Sequence, residues 1–151
     1  MTNSRKIFAA LFLLVVAAAC NNVTQPQQLN PGSFSADMQD ALGTPIYFTS
    51  TTAVAISAPD YEVHVTDPAT GNEFSLTGLQ TGTVTSAQGA KVIYYDNKNG
   101  QYYYSDFGNC AITISSTTPT LEGSFTARLV CTAAIDSIRQ VTSGSFNAKF
   151  Q

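Results

Sequence analysis

Residues 92–104 read VIYYDNKNGQYYY, and this stretch decides the fold class. Two runs of β-branched and aromatic residues flank Asn97-Lys98-Asn99-Gly100, and an Asn-Gly pair between such runs is the strongest short-range hairpin signal. The stretch therefore predicts two antiparallel strands joined by a tight turn. Counted from Asp96, a calcium loop would need oxygen ligands where Lys98 and Gly100 stand, so we interpret the segment as a turn and expect no metal site.

Both faces of this hairpin carry aromatic side chains, so one aromatic face remains after the other has joined a core. Alternation along each strand puts one group of side chains on one face and a smaller group on the other: Ile93, Tyr95, Tyr102 and Tyr104 against Val92, Tyr94 and Tyr103. Only one face needs to join a core, so we expect the smaller group to point outward, with Tyr94 and Tyr103 as partner-contact residues. The alternative is that these cross-strand tyrosines only stabilise an exposed hairpin.

The same two-residue alternation continues through the rest of the mature chain. Apolar residues recur at every second position from Ser33 onward, and turn residues such as Asp67-Pro68 separate short runs. This pattern predicts an all-β domain, an antiparallel β-sandwich or flattened β-barrel of about eight or more strands, over residues 33–151. The aromatic residues expected to point inward are Phe34, Phe48, Phe74, Phe125, Phe146 and Phe150.

The amino terminus has the layout of an export signal. Arg5 and Lys6 precede an apolar run of about a dozen residues, and Ala17-Ala18-Ala19 lead up to Cys20. We therefore assign residues 1–19 to a signal peptide. Residues 20–32 are polar and contain two prolines, so we interpret them as a flexible tether that does not fold by itself.

The residues before Cys20 resemble the lipobox of bacterial lipoproteins, in which the cysteine is diacylglycerylated and becomes the new amino terminus. The resemblance implies that Cys20 is the lipidation site, although Ala17 stands where such motifs most often have Leu. An ordinary secreted protein cut at the same Ala-x-Ala bond is the alternative. A lipid would also remove an odd exposed thiol from an oxidising compartment.

Three short motifs extend the resemblance over most of the mature chain. They are Asn30-Pro31-Gly32-Ser33-Phe34-Ser35-Ala36, Leu121-Glu122-Gly123-Ser124-Phe125, and Ser143-Gly144-Ser145-Phe146-Asn147-Ala148-Lys149-Phe150. With Ile112-Thr113-Ile114, these motifs look like those of small Bacteroidota lipoproteins that form a β-rich domain family of unknown function. The resemblance implies a lipid anchor and an all-β fold, and it brings no active-site residues.

Two cysteines remain when Cys20 is acylated. Cys110 and Cys131 lie on consecutive predicted strands, and a register that pairs Ile112 with Leu129 would place the two thiols opposite each other. We therefore predict a disulfide between Cys110 and Cys131. Two buried free thiols are the alternative.

Composition excludes some functions and leaves others open. The chain carries 7 basic and 10 acidic residues, and loss of the signal peptide leaves 5 basic residues against 10 acidic ones. Without a basic cluster, we expect no nucleic-acid partner. His64 is the only histidine, and alternation places it on a polar face with Glu62 and Thr66, so we expect it to face solvent and to hold no metal. We find no phosphate loop, dinucleotide fingerprint or Gly-x-Ser-x-Gly motif, and we expect no cofactor and no catalytic residues.

The sequence therefore predicts an envelope lipoprotein that acts as a non-catalytic structural or binding module. Its partners would be the membrane, through the amino-terminal lipid, and an envelope protein or a glycan. No acidic run follows Cys20, which favours the outer membrane with the domain facing the periplasm over the cell surface. The alternative function is a barrel-type carrier of a small apolar ligand, which would need an interior too large for its own side chains to fill.

Overall fold

The computed structural model describes residues 30–57, 59–133 and 137–151, and it confirms the all-β fold. Ten strands occur in the described residues: β1 (Ser33–Asp40), β2 (Pro45–Ser50), β3 (Val54–Ile56), β4 (Tyr61–Thr66), β5 (Glu73–Leu79), β6 (Gly82–Thr85), β7 (Lys91–Asp96), β8 (Gln101–Ser116), β9 (Leu121–Cys131) and β10 (Ile138–Phe150). A short 3-10 turn, Ser86–Gln88, follows β6. The predicted signal peptide and residues 20–29 of the predicted tether lie outside the described residues.

The strands form one sheet that partly curls into a ring. Its order is β2-β1-β10-β3-β4-β5-β7-β8-β6, and β9 pairs with both β8 and β10. Strand β9 links β8 to β10, so β3, β4, β5, β7, β8, β9 and β10 follow one another around the ring. The strand pairs are antiparallel except β3 with β10, where Val54 and Ala55 lie beside Lys149 and Phe150 in parallel. The β1-β2 hairpin and β6 extend the sheet beyond the ring.

Aromatic rings fill the interior of this curled sheet. Phe74 on β5 lies at the centre, with ring centroids 5.2 Å from Phe34, 5.0 Å from Phe48, 4.9 Å from Tyr94 and 5.9 Å from Phe125. Rings at these separations attract each other beyond their burial alone. Of the six phenylalanines expected inside, five are buried, whereas Phe150 is only half-buried and packs 6.2 Å from Tyr61.

Two glycines make room for two of these rings. On the β9-β10 pair, Gly123 lies opposite Phe146, and Gly144 lies opposite Phe125. A Cβ atom at either glycine would collide with the ring across from it. Packing therefore explains the repeated Gly-Ser-Phe motif, because the phenylalanine ring of each strand lies directly over the glycine of the other strand.

The predicted disulfide is wrong: Cys110 and Cys131 are both free and buried. The β8-β9 register pairs Ile112 with Phe125 and Cys110 with Ala127, while Cys131 lies opposite Tyr103. The register differs from the expected one because the connection is short. Pairing continues to Ser116 and Glu122, so the two strands slide by four residues relative to the predicted alignment.

Candidate functional site

Tyr94 and Tyr103, the predicted contact residues, point into the core and not outward. They are 2% and 1% exposed, and they lie opposite each other on β7 and β8. The prediction that they share a face is correct, but the choice of face is wrong. Phe74 lies directly opposite Tyr94 on the neighbouring strand, and cross-strand partners share a face, so the buried Phe74 fixes Tyr94 inside.

Burial of these two phenols is possible because polar groups meet them at the edge of the core. The Tyr103 hydroxyl donates to Gln101 Oε1 at 3.1 Å and lies 3.1 Å from Ser137 Oγ. The Arg139 guanidinium lies 4.6 Å from the centre of the Tyr103 ring and 3.7 Å from Asp96 Oδ2. Burial raises the pKa of Tyr94 from 10.0 to about 12, and the Asp96 carboxylate adds to the rise.

On β7 and β8, the outward aromatic residues form a continuous row, which we call the aromatic face: Tyr95, Tyr102, Tyr104 and Phe107. The Tyr95 and Tyr102 rings lie 4.6 Å apart across the β7-β8 pair. Tyr102 and Tyr104 stack at 6.2 Å, and Tyr104 meets the edge of Phe107 at 6.4 Å. Tyr102 is 49% exposed and Phe107 is 61% exposed.

A local irregularity in β8 brings Phe107 to this row. The β8-β9 register shifts between Tyr104 and Asn109, and Gly108 passes so close to the Arg128 carbonyl that a Cβ atom would not fit. Asp106 and Phe107 are both exposed as a result, which breaks the alternation. The buried Ser105 hydroxyl accepts a hydrogen bond from the Val92 backbone N–H at 2.9 Å and replaces a backbone partner there.

A groove of about 220 Å3 adjoins the aromatic face on the outer surface of β4, β5 and β7. Outward side chains along it come from Tyr95, Tyr102, Ile93, His64, Thr66, Glu73 and Ser75. We call it the histidine groove. It combines two aromatic rings on one side with imidazole, hydroxyl and carboxylate groups on the other.

His64 is fixed in the groove by two hydrogen bonds. Its Nε2 lies 3.0 Å from Glu62 Oε2, and its Nδ1 lies 3.2 Å from the Ser75 hydroxyl. Because a carboxylate can only accept, Nε2 donates to Glu62, and Nδ1 lies within hydrogen-bond distance of the Ser75 hydroxyl. The prediction that His64 faces solvent is confirmed, since its side chain is 42% exposed.

A second outer surface, which sequence reasoning missed, consists of hydroxyl groups. Six side chains lie in one cross-strand row over β6, β8, β9, β10, β1 and β2: Thr83, Thr113, Ser124, Ser145, Ser35 and Thr49. We call this row the hydroxyl face. Thr83 and Thr113 are hydrogen-bonded at 2.9 Å, and Ser35 and Ser145 at 2.8 Å. Serine and threonine at alternate positions of each strand were the only signal for it, and their alignment depends on five separate registers.

Within the part of the chain that the structure describes, no cluster of three or more potential metal ligands occurs. The same residues include no helix with the length and apolar character needed to cross a membrane. Cys20, the predicted lipidation site, lies outside the described residues.

Comparisons with known proteins add no relative. No family model matches the chain, no curated protein matches it, and no solved structure matches it.

Proposed function

We propose that this chain is an envelope lipoprotein whose β domain is a non-catalytic binding module, and that it contacts its partner through the aromatic face. The row from Tyr95 to Phe107 carries this proposal. Large, stiff rings with a polar tip are typical of binding surfaces, and a soluble domain gains nothing for its own core by exposing them. The proposal includes kinship with the small Bacteroidota lipoproteins that the sequence resembles.

The packed interior supports a binding module over a carrier of a small apolar ligand. A carrier needs free volume at the centre of its barrel. In this domain, four aromatic rings lie within 6 Å of the Phe74 ring, each with its centroid 4.9–5.9 Å away. The space that a ligand would need is occupied by the chain's own side chains.

The surroundings of His64 support a binding role over a catalytic one. Ser75, His64 and Glu62 form a hydrogen-bonded chain, and such a chain occurs in serine hydrolases. Those enzymes also need N–H donors free to stabilise an oxyanion. Ser75 lies on β5, which pairs with β4 on one side and β7 on the other, so backbone N–H groups around Ser75 are engaged in the sheet.

The proposed anchor is a lipid on Cys20 at the end of the tether, with the domain on the periplasmic side of the outer membrane. We expect Cys20→Ser to release the chain from the membrane fraction, because a chain with more than one acyl group resides stably in a membrane. Fractionation and intact mass would test this. A Cys20→Ser variant that stays in the membrane, with a native chain at its unlipidated mass, would contradict the anchor.

Site-specific photocrosslinking tests the contact face. The full chain is expressed in its own envelope with a benzophenone amino acid at Tyr104, and a matched chain carries it at Thr113 on the hydroxyl face. Both positions lie on the outer surface of β8. We expect a discrete crosslinked product from position 104 and none from position 113. Crosslinking from position 113 alone would overturn the choice of face.

A further inference from the structure

We infer that the aromatic face and the histidine groove together form a binding site for a neutral glycan chain. This inference rests on the proposed function and names its ligand class. It depends on three features of the outer surface of β4, β5, β7 and β8: a row of rings, a polar border beside that row, and the charge of the border.

The row of rings matches the apolar side of a sugar. A pyranose in its chair form has a face of C–H bonds, whose hydrogens carry partial positive charge, and the face of an aromatic ring is negative. Tyr102 and Tyr104 stack with their planes 24° apart, and Tyr95 and Tyr102 are 32° apart. Tyr95, Tyr102 and Tyr104 therefore have similar orientations, whereas Phe107 lies edge-on to Tyr104 at 83°. An extended chain of sugar units can lie along the three tyrosines.

The polar border matches the hydroxyl edge of the same sugar. Sugar hydroxyls both donate and accept hydrogen bonds, so they need acceptors and donors in one place. Glu73 is exposed on the groove and offers carboxylate acceptors, and the Thr66 hydroxyl beside it offers both functions. Glu62 is held by His64 through one oxygen at 3.0 Å, which orients the carboxylate.

The size of the groove fits one unit of a chain better than a whole small molecule. At about 220 Å3, it is smaller than the roughly 300 Å3 at which enclosed small-molecule pockets begin. One sugar unit can enter it beside Tyr95 and Tyr102, while the following units continue over Tyr104 towards Phe107. The site therefore favours a polymer over a monosaccharide.

The charge of the border selects a neutral chain. Glu73 lines the groove, Glu62 is hydrogen-bonded to the groove residue His64, and the nearby Lys91 ammonium is 3.1 Å from the Asp106 carboxylate. No unpaired cation faces the groove among the residues that line it. A uronic acid or a sulfated sugar would meet like charge without a counter-charge, which disfavours its binding.

The test measures binding of the full chain to neutral hexasaccharides by titration calorimetry. The panel contains β-1,4-glucan, β-1,3-glucan, β-1,4-mannan and chitin hexamers, with hexagalacturonate as the charged control. We expect at least one neutral hexamer to bind and hexagalacturonate not to bind. The Tyr102→Ala, Tyr104→Ala double variant should bind that hexamer at least tenfold more weakly, and the Tyr102→Phe, Tyr104→Phe variant should retain binding because its rings remain.

A matched control uses the other outer surface. Thr113→Ala with Ser124→Ala changes the hydroxyl face and should leave glycan affinity within twofold of the native chain. If the Tyr102→Ala, Tyr104→Ala variant and the Tyr102→Phe, Tyr104→Phe variant have equal melting temperatures, weaker binding by the Ala variant is not caused by loss of folding. If the Ala double variant melts earlier than the native chain, Tyr102→Ser alone takes its place, with the same tenfold expectation.

Failure of this inference and failure of the proposed function have different results. If no neutral hexamer binds, or if hexagalacturonate binds more tightly, the glycan inference is overturned. If crosslinking from position 104 then yields an envelope protein, the binding module stands with a protein partner. If the Tyr102→Ala, Tyr104→Ala variant binds a hexamer as tightly as the native chain, the aromatic face is not the glycan site.

Discussion

The aromatic face and the hydroxyl face are two outer surfaces of one sheet, and strand β8 contributes to both. Its first part carries Tyr102 and Tyr104, and its last part carries Thr113. The irregularity at Gly108 separates the two parts. The backbone is the same antiparallel ladder on both sides, so the difference lies in what each side chain gains when a partner removes water from it.

That difference is large in free energy. Burying apolar ring surface gains roughly 25 cal/mol for each Å2, whereas a hydroxyl that loses water without a new partner costs roughly 1–3 kcal/mol. Hydroxyls of the second face already bond to each other in pairs, as Ser35 does with Ser145. The aromatic face is therefore suited to contact with a partner, and the hydroxyl face is suited to contact with water.

We expect the largest loss of stability from Phe74→Ala, which removes the ring that lies beneath both surfaces. Loss of a fully buried phenylalanine costs about 3–5 kcal/mol, and Phe74 contacts Phe34, Phe48, Tyr94 and Phe125. Urea unfolding measures the loss. Phe150→Ala is the matched control, because Phe150 is only half-buried and should cost clearly less. Equal losses would contradict the central position of Phe74 in the core.

Gly144→Ala should destabilise the side of the molecule below the hydroxyl face. A Cβ atom there collides with the Phe125 ring, and forced overpacking typically costs about 1–3 kcal/mol. The midpoint of urea unfolding should fall, and glycan affinity per folded molecule should not change. The variant Gly144→Ala with Phe125→Ala removes the collision, so the cost of the glycine change should be smaller in that background. Additive costs would contradict the proposed Gly–Phe contact.

Alkaline pH should reveal which tyrosines belong to the core. The pKa of Tyr94 is about 12 in the folded chain, against an ordinary 10.0. A raised folded-state pKa means that the neutral phenol stabilises the fold fully below pH 10, and that this contribution is lost as pH rises through about 12. Ultraviolet titration should therefore show Tyr94→Phe abolishing a late-ionising phenol. The same titration should show an unchanged late step in Tyr102→Phe, and loss of that step would contradict the assignment of faces.

Ser145→Ala should cause the smallest loss of stability. It removes one partner of the 2.8 Å hydrogen bond with Ser35 on the outer surface, and a bond of this kind contributes about 0.5–1.5 kcal/mol. Thermal unfolding of Ser145→Ala and of Ser35→Ala measures it, and the double variant should lose no more than the larger single loss. A loss of binding in either variant would mean that the hydroxyl face takes part in contact.

Local patterns were enough to predict the strands, the hairpin turn and most of the core. Asn99-Gly100 fixed the turn, and alternation identified Phe34 and Phe74 as inward residues. These features depend on residues that are close in sequence, or on a period that any half-buried strand shows. The outward position of His64 followed in the same way.

The faces of the hairpin and the cysteine pairing depended on other strands. Tyr94 is inside because Phe74, twenty residues earlier, lies opposite it. Cys110 faces Ala127 because the short connection after Ser116 lets the strands pair further along. A shift of register by one residue exchanges the two faces of a strand, and a hairpin with aromatic residues on both faces does not by itself indicate which face points inward. To predict the hydroxyl face, one would need the registers of five strand pairs at once.

The most direct test of the contact face is fluorine NMR of the full chain labelled with 3-fluorotyrosine. The chain has seven tyrosines: three lie on the aromatic face, whereas Tyr47 is 74% exposed and lies opposite Asp37, beside the hydroxyl face. On titration with the neutral hexasaccharides, we expect the resonances of Tyr95, Tyr102 and Tyr104 to shift while that of Tyr47 stays fixed. A shift of Tyr47 with the other three unchanged would contradict the account.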